Sequence, residues 1–231
     1  MKPPDARRAT SRSLALSGVL FALLFLIGWF VSGGDAPDYG APDQDWTNWA
    51  DDNQWKSRVG AFAMLLAGFV FLHFAARVRT VLGDVERSVR GSTELARVAV
   101  AGAITGMAGM VMAIVIVSSA TTEGGEANPA VTRAIASASA GPFLLSAMGF
   151  AAFLMAAGVI TLQSDALPRW TGVVALIGAV SFLIAFATVL AGLGKDSVFG
   201  FGFFPGVLAL VIWSISTSIA GYRATADANE V

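Results

Sequence analysis

AIASASAGPFLLSAMGFAAFLMAAGVITLQS, residues 134–164, contains no Asp, Glu, Lys or Arg. An α-helix rises 1.5 Å per residue, so about 20 residues cross a hydrocarbon slab of roughly 30 Å. This stretch can do so with residues to spare. Five more charge-free stretches follow the same rule, at 13–34, 59–76, 98–122, 170–194 and 197–222. The pattern predicts an all-α integral membrane protein, a six-transmembrane-helix bundle. Its spans are expected at about 14–33, 58–78, 97–120, 140–163, 169–192 and 204–222.

Composition agrees with the spans. Of 231 residues, 55% are hydrophobic and 13% are charged, where soluble domains carry about a quarter charged. Six spans and their connections use nearly the whole chain, so a single transmembrane domain is expected over 1–231. Residues 34–57 form a Trp- and Asp-rich outer loop, and 1–13 and 223–231 are tails. No Cys is present, which excludes disulfides and thiolate metal sites. Lys2, Arg7, Arg8 and Arg12 precede the first apolar run, as in a secretory signal. That run is longer than a signal's apolar core and no Ala-x-Ala site follows, so it reads as a retained span.

Basic residues set the orientation. With six alternating spans, one side holds Lys2, Arg7, Arg8, Arg12, Arg77, Arg79, Arg87, Arg90, Arg97, Arg169 and Arg223. The other holds Lys56, Arg58, Arg133 and Lys195, together with Asp35, Asp38, Asp43, Asp45, Asp51 and Asp52. Short loops retain Lys and Arg on the cytoplasmic side, so both termini are expected in the cytoplasm. The second helix is expected to run past the membrane through Arg77–Arg90, to end at Gly91, and to be followed by Ser92 or Thr93 as the cap of the third.

Other punctuation is equally specific. Asn128-Pro129 suits an N-cap followed by Pro in the first turn. Pro168 and Pro205 can open the fifth and sixth spans, Gly192 and Gly194 can close the fifth, and Gly200 and Gly202 suit a short outer turn. Gly141-Pro142 is expected to kink the fourth span near the outer interface. Trp29, Trp170 and Trp213 fall near expected interfaces. Lipid provides no hydrophobic incentive for helices to associate, so small residues must allow close packing. Gly102, Gly106, Gly109 and Ala113 make one face of the third span, and Gly149, Ala152 and Ala156 one face of the fourth. These two faces are expected to meet.

Chemistry-bearing residues are few. His73 is the single His, and an intramembrane ionisable group suggests a proton relay or a ligand to metal or haem. No carboxylate lies in any span, and four residues before Arg77 a neutral imidazole reaches the interface; a structural role is the stronger reading. In the outer loop the Asp residues do not follow the spacing of a Ca²⁺ loop. Trp46 and Trp49, one helical turn apart, suit a short helix lying on the membrane with its indoles down. Asp51 or Asp52 can pair with Arg58 or Arg133 at the outer mouth. The mixed signs of Arg79, Asp84, Glu86, Arg87 and Glu94 make a solvated helix facing anionic lipid, with no nucleic-acid partner expected. No catalytic constellation, cofactor motif or metal motif stands out, so a non-enzymatic protein is expected.

The run DDNQWKSRVGAF at 51–62, the FLHF motif at 71–74 and LPRWTG at 167–172 resemble uncharacterised multi-pass membrane proteins common in actinobacteria, a family of unknown function. The resemblance implies a bacterial inner membrane and a compact six-helix unit, and it brings no assigned activity. The leading expectation is a sensor or accessory subunit that works through the bilayer and a membrane-protein partner or a second copy. The alternative is a small transporter or hydrophobic-ligand carrier, with a cavity near Pro142 reached past Arg133.

Overall fold

A computed structural model describes residues 4–32, 36–37, 40–122, 128–164, 167–191 and 199–227. Among them the regular structure is helical: α1 (Pro4–Val31), α2 (Asp43–Arg90), α3 (Glu94–Thr122), α4 (Pro129–Ala138), α5 (Ala140–Leu162), α6 (Arg169–Ala191) and α7 (Phe199–Asp227). Five helical stretches are long and apolar enough to cross a membrane: Asp43–Arg90, Glu94–Thr121, Pro129–Leu162, Arg169–Leu190 and Phe201–Ala220. In α1 the described apolar stretch is Leu16–Val31, within a sequence that carries no charge from Ser13 to Gly34. The chain is a multi-pass α-helical membrane protein.

Each helix packs on its neighbours in sequence and α7 returns to α1, so α1, α2, α3, α5, α6 and α7 close a ring. Close backbone approach makes the seams. A Cβ built on Gly149 would fall on the Gly106 backbone, and one on Gly102 would lie 2.6 Å from the Gly149 carbonyl oxygen. The expected meeting of the two small-residue faces is therefore observed, and α3 with α5 is the most extensive helix pair. Gly60 lies against Ser32, Gly158 against Gly172, Gly202 against Ser181 and Ala185, and Gly18 against Ser214 and Ser218. Without Cβ atoms at these points the helices come near enough for dispersion contacts along their length.

Aromatic rings fill the axis. Phe71 of α2 meets Phe21 of α1 at 4.6 Å between ring centres, and Phe150 and Phe153 of α5 edge-on at 5.8 Å each. Phe153 continues to Trp213 of α7 at 5.2 Å, while Phe150 leads through Phe182 to Phe203. Trp213 is fully buried and also meets Phe74. It is a core residue, not the interfacial anchor expected; its ring fills the space where α2, α5 and α7 converge. Trp170 is half exposed, and Trp29 stacks on Phe25 and Phe203.

Several expected boundaries move. Helix α2 is continuous over 48 residues, about 72 Å at helical rise, so it projects beyond the apolar slab at both ends. The expected loop at 34–57 is thus helical from Asp43 onward. We call its two extremes the Trp46 end and the Glu86 end. Helix α7 begins at Phe199 with Pro205 inside it, so Gly202 is helical and not in a turn. Packing of Gly202 on α6 supports the turns ahead of the proline. Asn128 does cap α4, its Oδ1 accepting from the Ala130 amide at 3.0 Å. Thr171 donates its amide to the Pro168 carbonyl at the start of α6. Gly192 and Gly194 lie outside the described residues. The break expected at Pro142 falls at Ser139, between α4 and α5. Proline has no N–H, and its ring crowds the carbonyl four residues back, here that of Ala138.

Candidate functional site

At the Glu86 end, α2 runs on in polar sequence until Gly91, whose φ of 71° is left-handed and whose amide donates to the Arg87 carbonyl at 3.0 Å. A residue with a Cβ is strained in that conformation, so Gly91 both ends α2 and turns the chain. The turn is tight, and it brings the start of α3 back alongside α2.

Glu86 uses this proximity. It is 2% exposed. Its Oε1 accepts from the Leu95 amide at 3.0 Å and the Ser92 hydroxyl at 3.1 Å, and its Oε2 accepts from the Ala96 amide at 2.9 Å. The carboxylate thus caps the first turn of α3, where unpaired amides and the helix dipole favour an anion. Burial alone would raise its pKa. The Ala96 and Leu95 amides, the Ser92 hydroxyl and the Arg90 charge outweigh burial and hold it below the ordinary glutamate value. The cap expected from Ser92 or Thr93 is therefore supplied by Glu86, with Ser92 as its donor. Sequence reasoning placed Glu86 on a solvated face because it stands among charged neighbours. A clue is available in retrospect: Glu86 lies four residues after Leu82, which is also buried.

Beside this cap lies an open cleft of about 250 Å³ between α2 and α3. Its α2 wall is Arg79, Gly83 and Arg87, with Thr80 and Asp84 beside them; the facing wall is Thr93, just ahead of α3, with Ala96 and Arg97 of α3. Residues four apart share a helix face, so 79, 83 and 87 form one row and 93 and 97 another. Gly83 and Ala96 are small and make the floor. Arg87 pairs with Asp84 at 3.4 Å, with both side chains mostly in solvent, an arrangement that contributes little. Nearby, Arg90 donates to Gln163 Oε1 at 2.6 Å, fastening the end of α2 to the end of α5.

At the Trp46 end, Trp46 and Trp49 are buried with Ala50 against Ala120 of α3 and Ala136 of α4. They meet edge-on at 5.9 Å. These indoles do not lie down on a membrane surface, because α3 and α4 cover them. Arg133 of α4 pairs with Asp43 at 2.9 Å, not with Asp51 or Asp52, which are exposed. The pair closes the same corner.

The remaining expected residues are not gathered. Arg58 is exposed on α2. His73 is exposed beside Leu72 and Phe69, so it faces away from the axis. Pro142 is half-buried, and its carbonyl lies against Gly109 of α3. Among the described residues no three His, Asp or Glu side chains come together as a metal site requires.

The family model DUF4386, a domain of unknown function, matches residues 16–219. The chain belongs to that family. No curated protein and no solved structure matches it.

Proposed function

We propose that this chain is a non-enzymatic subunit of a bacterial cytoplasmic membrane, acting through interaction as a sensor or accessory component, with both termini in the cytoplasm. The supporting observation is the filled axis. Phe21, Phe71, Phe150, Phe153, Phe182 and Trp213 occupy the centre of the ring, each no more than 1% exposed, and the described seams are closed by small residues. A centre so packed suits a bundle that presents its outside.

That outside is lipid-like and ready for a second copy or another membrane protein. Its orientation follows from charge. Arg79, Arg87, Arg90 and Arg97 gather at the Glu86 end, while Asp43, Asp45, Asp51 and Asp52 lie on the first turns of α2 at the other. Short basic segments stay in the cytoplasm, so the Glu86 end faces inward.

The chain has no Cys, so single Cys residues at Asp52 and Arg87, both exposed, report sidedness cleanly. Labelling from outside should reach the first and not the second. Photo-crosslinkers on exposed α2 and α6 positions in native membranes should trap a membrane-protein partner or a homo-oligomer. A protein that stays monomeric in nanodiscs and crosslinks to nothing in its own membrane overturns the reading.

A further inference from the structure

Arginines in membrane proteins often do no more than mark the inner side, and a scattered set carries no site. Arg79, Arg87 and Arg97 are not scattered. They line one cleft, on two helices, over a floor of Gly83 and Ala96. The acidic groups nearby leave Arg79 and Arg97 unpaired among the described residues, and the pair that Arg87 makes is solvent-exposed and weak. Asp84 sits on Arg87, and Glu86 is occupied by the α3 amides. Glu94 makes no ion pair among the described residues, and neither do Arg79 and Arg97. The cleft therefore carries a net positive charge, with the Thr93 hydroxyl at its edge.

Its depth points to the ligand. Arg79 follows the charge-free stretch 59–76 by three residues, and Arg97 immediately precedes the charge-free stretch 98–122. The cleft thus opens at the level where hydrocarbon gives way to headgroups. Guanidinium groups bind phosphate oxygens through paired, charge-assisted hydrogen bonds. A space of about 250 Å³ exceeds one water, at about 30 Å³, several-fold. We propose that this cleft binds a phosphate group through Arg79, Arg87 and Arg97, either the phosphodiester of an anionic phospholipid or a free phosphate ligand.

The test uses the full chain, delipidated in a neutral detergent. Native mass spectrometry compares retention of phosphatidylglycerol with that of phosphatidylcholine, and calorimetry titrates inorganic phosphate. Wild type should prefer phosphatidylglycerol at least about tenfold, the scale of one charge-assisted hydrogen bond. Arg79→Gln and Arg97→Gln should each lower that preference about tenfold, and Arg97→Lys should lose less. Arg77→Gln removes a charge from the same helix outside the cleft and should change it less than twofold. All these side chains except the half-buried Arg77 are exposed, so the cleft variants should fold, which circular dichroism verifies. Lipid preference without phosphate binding identifies the headgroup as the ligand. Phosphate binding without lipid preference, lost in the same variants, identifies a free phosphate. Binding of neither probe, or equal losses from Arg77→Gln and the cleft variants, overturns the proposal.

Discussion

Replacing Glu86 by Ala should loosen the junction between α2 and α3 by an amount the hydrogen bonds allow one to work out. Two α3 amides, those of Leu95 and Ala96, lose their acceptor. Each buried amide left without a partner costs about 1–3 kcal/mol, and loss of the anion at the helix start adds about 0.3–1 kcal/mol. Glu86 is covered by its neighbours but lies at the end of the bundle, close to bulk water that can re-solvate the amides. The lower ends of these ranges then apply, a total of about 2–3 kcal/mol. Glu86→Gln retains one acceptor oxygen but turns an NH₂ group towards a donor, so about half that loss is expected. Hydrogen exchange followed by mass spectrometry on a peptide spanning 92–97 reads the effect directly. Opening should become about 30- to 140-fold more frequent in Glu86→Ala at neutral pH.

The pH dependence checks the same contact. A carboxyl held below its ordinary pKa in the folded state stabilises fully above the unfolded value, about 4.3 for Glu. That contribution declines as pH falls below this value and is gone once pH passes the lower folded value. Wild type should lose protection at 92–97 in that acid range, while Glu86→Ala, already without the carboxyl, should show no such component. Unchanged protection in Glu86→Ala at neutral pH would refute the capping role.

Two more perturbations separate packing from surface chemistry. Gly149→Ala places a methyl group against the Gly106 backbone and should cost about 1–3 kcal/mol in SDS-driven unfolding, whereas Gly141→Ala meets nothing within 4 Å and should be neutral or stabilising by up to about 1 kcal/mol. Equal effects would mean that the α3–α5 seam is looser than described. Asp43→Asn breaks a half-exposed pair with Arg133 and should cost no more than about 1 kcal/mol, an effect that shrinks as salt is added; a larger loss that salt does not alter would place the pair in the core.

What could be read from sequence depended on whether the signal was local. Asn128 beside Pro129, Gly91 after a basic stretch, and the face of Gly102, Gly106 and Gly109 each act within a few residues or along one helix. Their roles followed from backbone geometry and spacing. Failures had a common cause. Trp46, Trp49, Trp213 and Glu86 owe their places to residues distant in the chain: Ala120 and Ala136 for the first two, Phe74 and Phe153 for the third, and the α3 amides for Glu86. A tryptophan near a span end reads as an interfacial anchor until a neighbouring helix covers it. A glutamate among arginines reads as solvated until a turn brings two unpaired amides to its carboxylate.

Charge-free runs by themselves determined that the chain crosses a membrane as helices, because hydrocarbon accepts neither ionised side chains nor unpaired backbone groups. The small-residue faces of Gly102, Gly106 and Gly109 and of Gly149 and Ala152 determined as well that α3 and α5 could approach closely. Tertiary structure alone decided that the helices close a ring around stacked aromatic rings, that α2 stands continuous through both boundaries, and that three arginines share one cleft. Those outcomes depend on which faces of separate helices come together, and no one helix carries that information.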